Sequence, residues 1–318
     1  MPPSSQPARW LIVLAFATIY IIWGSTYLAI SFAVQTVPPF VMSTTRFLLA
    51  GGLLLAWTLG RGTPLPTRVH WRSAFITGAF LFGLNNSLLV GAEHGGLPTG
   101  IAALLIATTP MWMVLLNWLR PGGERPGASV FAGLALGTLG IVLLVNPGNT
   151  AGVDPIGAVM VIAAALCWSI GSLYARGAAA PSNILLSIGM QLVAGGLMQV
   201  VLAVVSGEAA HFDPTQVTAL SLGSLAYLAI MSSIIAFAAF SWLMRVTNPA
   251  RVATHAYVNP VVAVFLGWAL NHEPLQSRTI VAAAIIVFAV VLIARDKGRA
   301  EAKHTAIIET QELATETV

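Results

Sequence analysis

Charge is scarce in this chain. Of its 318 residues only 8% are charged, with 15 Lys and Arg against 11 Asp and Glu. A soluble fold of this length needs a far more polar surface. The single cysteine, Cys167, excludes an internal disulfide framework and is expected to pack between helices. No GxxxxGK[ST] loop is present, which argues against ATP-driven work by this chain. No H-E-x-x-H occurs and the histidines are scattered, so a zinc protease is disfavoured and no metal is expected. Ser169 and Ser172 lie on a different segment from His255, which leaves little basis for a serine hydrolase. The net charge of +4 would suggest nucleic acid in a soluble protein, but here the basic residues sit between apolar runs.

Apolar sequence fills the rest. Hydrophobic residues make up 57% of the chain and the mean hydropathy is +0.84. Ten stretches are long enough to cross a bilayer: 10–34, 39–59, 71–92, 97–119, 127–146, 155–176, 182–205, 216–243, 250–270 and 276–294. Turn chemistry separates them, as in Pro38-Pro39, Gly95-Gly96-Leu97-Pro98 and Thr247-Asn248-Pro249. The first stretch lacks a convincing cleavage site and reads as a retained helix. Residues 296–318 are polar and read as a fraying or disordered tail. The lipid bilayer is therefore an expected partner, and nucleic acid is not.

Numbering the sides of the membrane alternately sorts the basic residues. Thirteen of the fifteen, from Arg9 to Lys303, fall on one side, Arg278 falls on the other, and Arg46 lies within a span. The positive-inside bias then puts both termini in the cytoplasm, as expected of a multi-pass protein of a bacterial inner membrane.

Landmarks recur at an offset of roughly 145–150 residues. Trp23-Gly24-Ser25-Thr26-Tyr27 answers Trp168-Ser169-Ile170-Gly171-Ser172. Ala107-Thr108-Thr109-Pro110, followed by Glu124, answers Tyr257-Val258-Asn259-Pro260, followed by Glu273. The units are residues 1–150 and 151–295. An odd number of helices in each starts the second on the opposite side of the membrane, so the expected fold is all-α: ten transmembrane helices in two inverted five-helix repeats around a central cavity. That is a recurrent design of secondary transporters.

These motifs resemble the EamA domains of the drug/metabolite transporter superfamily, over residues from about 10 to 294. The resemblance implies a ten-helix exporter of metabolites, amino acids or drugs with cytoplasmic termini. Among family members the chain looks most like the amino-acid and metabolite exporters. Glu124 and Glu273 match the glutamate that the family places after the fourth helix of each unit, and their position at helix starts suits a structural, capping role, beside the structural prolines Pro110 and Pro260.

Candidate site residues follow from polarity at depth. Arg46 lies about seven residues into the second span, or roughly 10 Å. A charge there needs protein or water, so it either attracts an anion at a cavity or snorkels to anchor the helix end. Gln191 is its repeat mate. Asn85 and Asn86 lie mid-span, where an unpaired amide is costly. His255 and Asn259 share a face of the ninth span and either line the cavity or pack; His255 is also a candidate proton carrier. Glu93 and His94 either gate the outer mouth or sit among headgroups. Trp23 and Tyr27 on one face, with Trp112 and Trp168, either flank an apolar substrate or fill the core. Gly133, Gly137 and Gly140 mark a close helix contact, as scaffold or dimer interface. A monomer is expected, with a homodimer as the alternative. No cofactor is expected; transport is either proton-coupled through Glu93, His94 or His255, or uncoupled. The expected cargo is a small organic solute, an amino acid with an apolar or aromatic side chain ahead of a drug-like cation.

Overall fold

The structure, a computed structural model, describes residues 8–119, 127–145, 154–247, 252, 255–272, 274–289 and 291–292. Those residues are helical with no strand among them. Helix α1 is Arg9–Ala33 and α2 is Pro39–Gly60. Helix α3 runs through Arg68–Gly78, a π-helical stretch Ala79–Leu84, and Asn85–His94. Helix α4 comes in two pieces, Thr99–Ile106 and Thr109–Leu119. Then follow α5 (Ala128–Val145), α6 (Pro155–Gly177) and α7 (Ile184–Val205). Helix α8 runs through Ala219–Tyr227, a second π-helical stretch Leu228–Ala236, and Phe237–Val246. Helices α9 (His255–Asn271) and α10 (Ser277–Ala289) complete the bundle. Six of the described helices are long and apolar enough to cross a membrane, and four shorter apolar ones accompany them.

Two features depart from ten plain spans. The fourth is broken at Ala107-Thr108 rather than continuous. Pro110 has no N–H for the Ile106 carbonyl, and the Thr109 hydroxyl donates to that carbonyl instead, at 2.7 Å. Thr108 does the same for Leu105 at 2.6 Å. Pro260, its counterpart, sits inside a continuous helix, so matching prolines have unlike effects. Secondly, the connection after α7 contains a helical turn, Glu208–His211. Glu208 Oε2 accepts from the Phe40 and Val41 amides at 2.7 and 3.3 Å. It thereby caps α2, whose own first residues offer no side-chain cap. Glu124 and Glu273 lie outside the described residues.

The inversion can be read from the crossing of α2 and α7. A Cβ on Gly51 would lie 2.9 Å from the Gly189 carbonyl oxygen and 2.8 Å from Val193, and one on Gly196 would lie 2.7 Å from Leu48. As α2 advances from Leu48 to Leu54, its contacts on α7 retreat from Gly196 to Gly189, so these equivalent helices are antiparallel. Val193 stands to Leu48 as Gly196 stands to Gly51, and the crossing maps onto itself when the halves are exchanged. Helices α5 and α10 cross likewise, with Gly137 against Ala289 and Gly140 against Ile286. Gly137 and Gly140 are thus an internal seam, which takes them out of the dimer-interface reading. Small residues let such backbones approach, and dispersion contacts reward the approach.

Gly51→Val should therefore force α2 from α7 and lower stability by about 1–3 kcal/mol. Gly52→Val, where nothing lies within 4 Å, should be nearly neutral. Melting temperatures of both variants in one detergent check this, and equal values would remove the close crossing as a stability determinant.

Candidate functional site

Arg46 is buried, at 6% exposure, and does not snorkel. Its Nε donates to Ser233 Oγ and its Nη2 to Ser232 Oγ, each at 3.0 Å. Both serines belong to the π-helical stretch of α8. Around them the polar contacts continue onto α1. Ser232 Oγ lies 3.3 Å from Thr26 Oγ1, the Trp23 indole N–H points to the Ser232 carbonyl at 3.4 Å, and Ser25 Oγ meets the Tyr227 hydroxyl at 2.6 Å. One turn before Arg46, Ser43 accepts from the Asn86 amide at 2.6 Å. Hydrogen bonds to a charged group contribute about 1.5–3 kcal/mol each, which helps to offset taking the guanidinium out of water.

Aromatic rings extend from this charge across the halves. The Arg46 guanidinium lies 4.9 Å from the Phe47 ring centre. Phe47 meets Phe82 at 5.4 Å, Phe82 meets Phe237 at 5.1 Å, and Phe237 meets Trp23 at 5.1 Å. Trp23 in turn meets His255 at 5.1 Å. Phe240 leans on both Trp23 and His255, and Trp168 meets Phe237 at 6.2 Å. The repeat-related Trp23 and Trp168 are thus bridged by Phe237. Phe47 and Phe82 are core residues, whereas Trp23, Trp168, Phe237, Phe240 and His255 are only partly buried. Together they offer apolar ring faces beside one fixed positive charge.

Other candidates lie apart from this group. Tyr27 is buried in the main apolar core, to which α1, α3, α4, α6 and other helices contribute, close enough to Glu93 for an electrostatic interaction, and does not share the Trp23 ring cluster. Glu93 is itself buried at 7% exposure, while its neighbour His94 is exposed. Asn85 donates to the Ala164 carbonyl at 2.8 Å and ties α3 to α6. Gln191 bonds Ser187 on its own helix at 3.2 Å. Trp112 is half-buried and, among the described residues, makes no ring contact with the cluster. His255 Nδ1 lies 2.8 Å from the Val252 carbonyl. Asn259 is buried one turn further along α9, its Oδ1 without a hydrogen-bond partner among the described residues. Among those residues no group of three or more His, Cys, Asp or Glu could hold a metal ion.

Comparison with known proteins now identifies the architecture. The description "EamA-like transporter family" matches residues 10–146 and again 155–295. The chain belongs to the EamA-like transporter family. An uncharacterized inner membrane transporter of Escherichia coli K12, YedA, is 36% identical over 95% of this chain and 96% of its own. The protein PecM of Dickeya dadantii is 28% identical over 86% and 89%. A chain of known crystal structure, 22% identical, covers 89% of this chain and 96% of its own at a TM-score of 0.61, and so shares the fold. This EamA-like protein is accordingly a multi-pass membrane transporter.

Several residues of this EamA-like site escape a reading by depth and polarity alone. Ser232 and Ser233 lie inside the π-helical stretch of α8, whereas Asn85 and Asn86 directly follow that of α3, and two small hydroxyls in an apolar run do not stand out in the sequence. Phe82, Phe237 and Phe240 carry no signal either, because an inward phenylalanine is spelled like a lipid-facing one. Gln199, rather than Gln191, is the fully buried amide of α7. Its Nε2 donates to the Phe82 and Gly83 carbonyls, both at 3.0 Å and both in the π-helical stretch of α3. Ser87 Oγ completes the knot, 3.1 Å from Gln199 Oε1.

Gln199→Leu should take the amide donor from both carbonyls, leaving the Ser87 hydroxyl on that of Gly83 at 2.8 Å, and cost about 1–3 kcal/mol. Thermal unfolding in detergent checks it. A melting temperature equal to that of the wild type would show that the π-helical stretch of α3 needs no support from α7.

Proposed function

We propose that this transporter exports small organic solutes bearing a carboxylate, in particular amino acids with apolar or aromatic side chains, by alternating access of its two inverted units. The observation that carries the reading is Arg46, a buried cation whose hydrogen-bond partners among the described residues are two hydroxyls rather than a carboxylate, at the head of a row of ring faces. An anionic group of the cargo would supply the missing countercharge, and its side chain would lie on Trp23, Phe237 and Phe240. The half-buried state of these rings supports the assignment, since each keeps apolar surface for a ligand.

In this reading both termini are cytoplasmic and the chain spans a bacterial inner membrane. The Lys and Arg distribution favours that orientation, and the inner-membrane description of the Escherichia coli relative favours that membrane. Export runs either down the solute gradient or coupled to protons; for the coupled form, Glu93 beside Tyr27 and His255 beside Trp23 are the groups to examine. The ring cluster also suits a flat organic cation, which makes a multidrug exporter the second reading.

Reconstituted protein loaded with labelled phenylalanine, threonine or ethidium separates these readings. Phenylalanine efflux is expected to exceed that of ethidium. Arg46→Ala should lower it by about tenfold or more, as for loss of one partner of a buried charge pair. Preferential ethidium efflux, insensitive to Arg46→Ala, would establish the cation exporter instead, and steady ionic current without solute movement would indicate a channel.

A further inference from the structure

A guanidinium presents its N–H groups as two forks, a side fork of Nε and Nη2 and an outer fork of Nη1 and Nη2. In Arg46 the side fork is occupied, by Ser233 at Nε and Ser232 at Nη2. These serines are consecutive, and consecutive residues of an α-helix do not share a face. Here the wider turn of the π-helical stretch Leu228–Ala236 brings both to one guanidinium.

Each serine is held in turn. The Ser233 hydroxyl donates to the Leu228 carbonyl, five residues back, at 3.0 Å, so its lone pairs are left for Arg46. Ser232 is steadied by Thr26 at its hydroxyl and by the Trp23 indole at its carbonyl. Both serines are buried, at 1% and 0% exposure, so water does not compete for them. Among the described residues, both N–H groups of Nη1 and the second of Nη2 are left over, a fork that matches the two oxygens of a carboxylate. Charge alone would not fix this edge, because an arginine stem has four rotatable bonds and would follow whichever acceptor was nearest.

We propose that Ser232 and Ser233 are positioning residues that fix Arg46 so that its outer fork receives a monocarboxylate end-on. By this they set the transporter's preference for a carboxylate over the neutral amide of the same shape. The proposal rests on the carboxylate reading of Arg46 given above and adds how the selectivity is built. It also gives the π-helical stretch of α8 a role in recognition, since a regular helix would withdraw one of the two hydroxyls.

The test compares binding of 3-phenylpropionate and 3-phenylpropanamide to purified full-length protein in detergent, by titration calorimetry. The ratio of the two dissociation constants is the readout, which a merely structural role would not move. The wild type should favour the carboxylate by about tenfold or more. In Ser232→Ala/Ser233→Ala that ratio should fall at least about fivefold, and Ser233→Thr, which keeps the hydroxyl, should hold it. Arg46→Lys, a cation without the fork, should lose it as well. If the double variant does not fold, Ser233→Ala alone is judged by the same ratio. A wild type without preference, or without binding of 3-phenylpropionate, overturns the carboxylate reading and this proposal with it. A wild-type preference that Arg46→Gln abolishes but the serine variants retain overturns the positioning role alone and leaves the carboxylate reading standing.

Discussion

A polar group within an apolar slab must find its partner in the protein, because no water is at hand to supply one. That constraint explains much of the structure. The carbonyl that Pro110 leaves free is taken by the Thr109 hydroxyl. The carbonyls of the π-helical stretch of α3 are taken by the Gln199 amide. Arg46, the most demanding group of all, is taken by Ser232 and Ser233. Each solution joins segments that local sequence would leave independent. In the last two cases it joins one half of the chain to the other.

The halves are related by a two-fold operation at their seams and not at their site. At the crossings of α2 with α7 and of α5 with α10, glycines let equivalent helices meet antiparallel, and in the first the contacts repeat on exchange of the halves. Both third helices of the repeats, α3 and α8, contain a π-helical stretch at a corresponding place. Yet the polar partner of one stretch is a neutral amide from α7, and that of the other is a cation from α2. A symmetric scaffold with an asymmetric lining suits a transporter. The seams need the same geometry whichever way the units tilt, whereas a solute with one charged end needs only one charged receptor.

Much of the fold was legible from residue order. Span number, the duplication and the odd helix count in each unit already imply inversion, and the structure agrees. Less of the site was legible. Trp23 and Tyr27 are four apart and were expected to act as one face, but Trp23 joins Phe237 and His255 while Tyr27 turns into the core toward Glu93. Helical spacing says which residues share a side, not which neighbour that side meets. Glu93 illustrates the same limit. Its place beside Gly95-Gly96 suits either the outer mouth or the headgroups, and nothing in that spacing says that neighbouring helices bury the carboxylate.

What the sequence determined by itself is whatever depends on transfer between water and hydrocarbon: that the chain is helical, how often it crosses, where it turns, and that Arg46 needs company. These follow from summed hydropathy, turn residues and the cost of a lone charge, all of which are properties of short stretches. Tertiary structure decided which company Arg46 keeps, which phenylalanines face inward, and that Gln199 rather than Gln191 is the buried amide of α7. Lipid and protein interior are almost equally apolar, so residue type carries no instruction to choose between them. Only the packing of one helix against another, through small residues and shared hydrogen bonds, makes that choice.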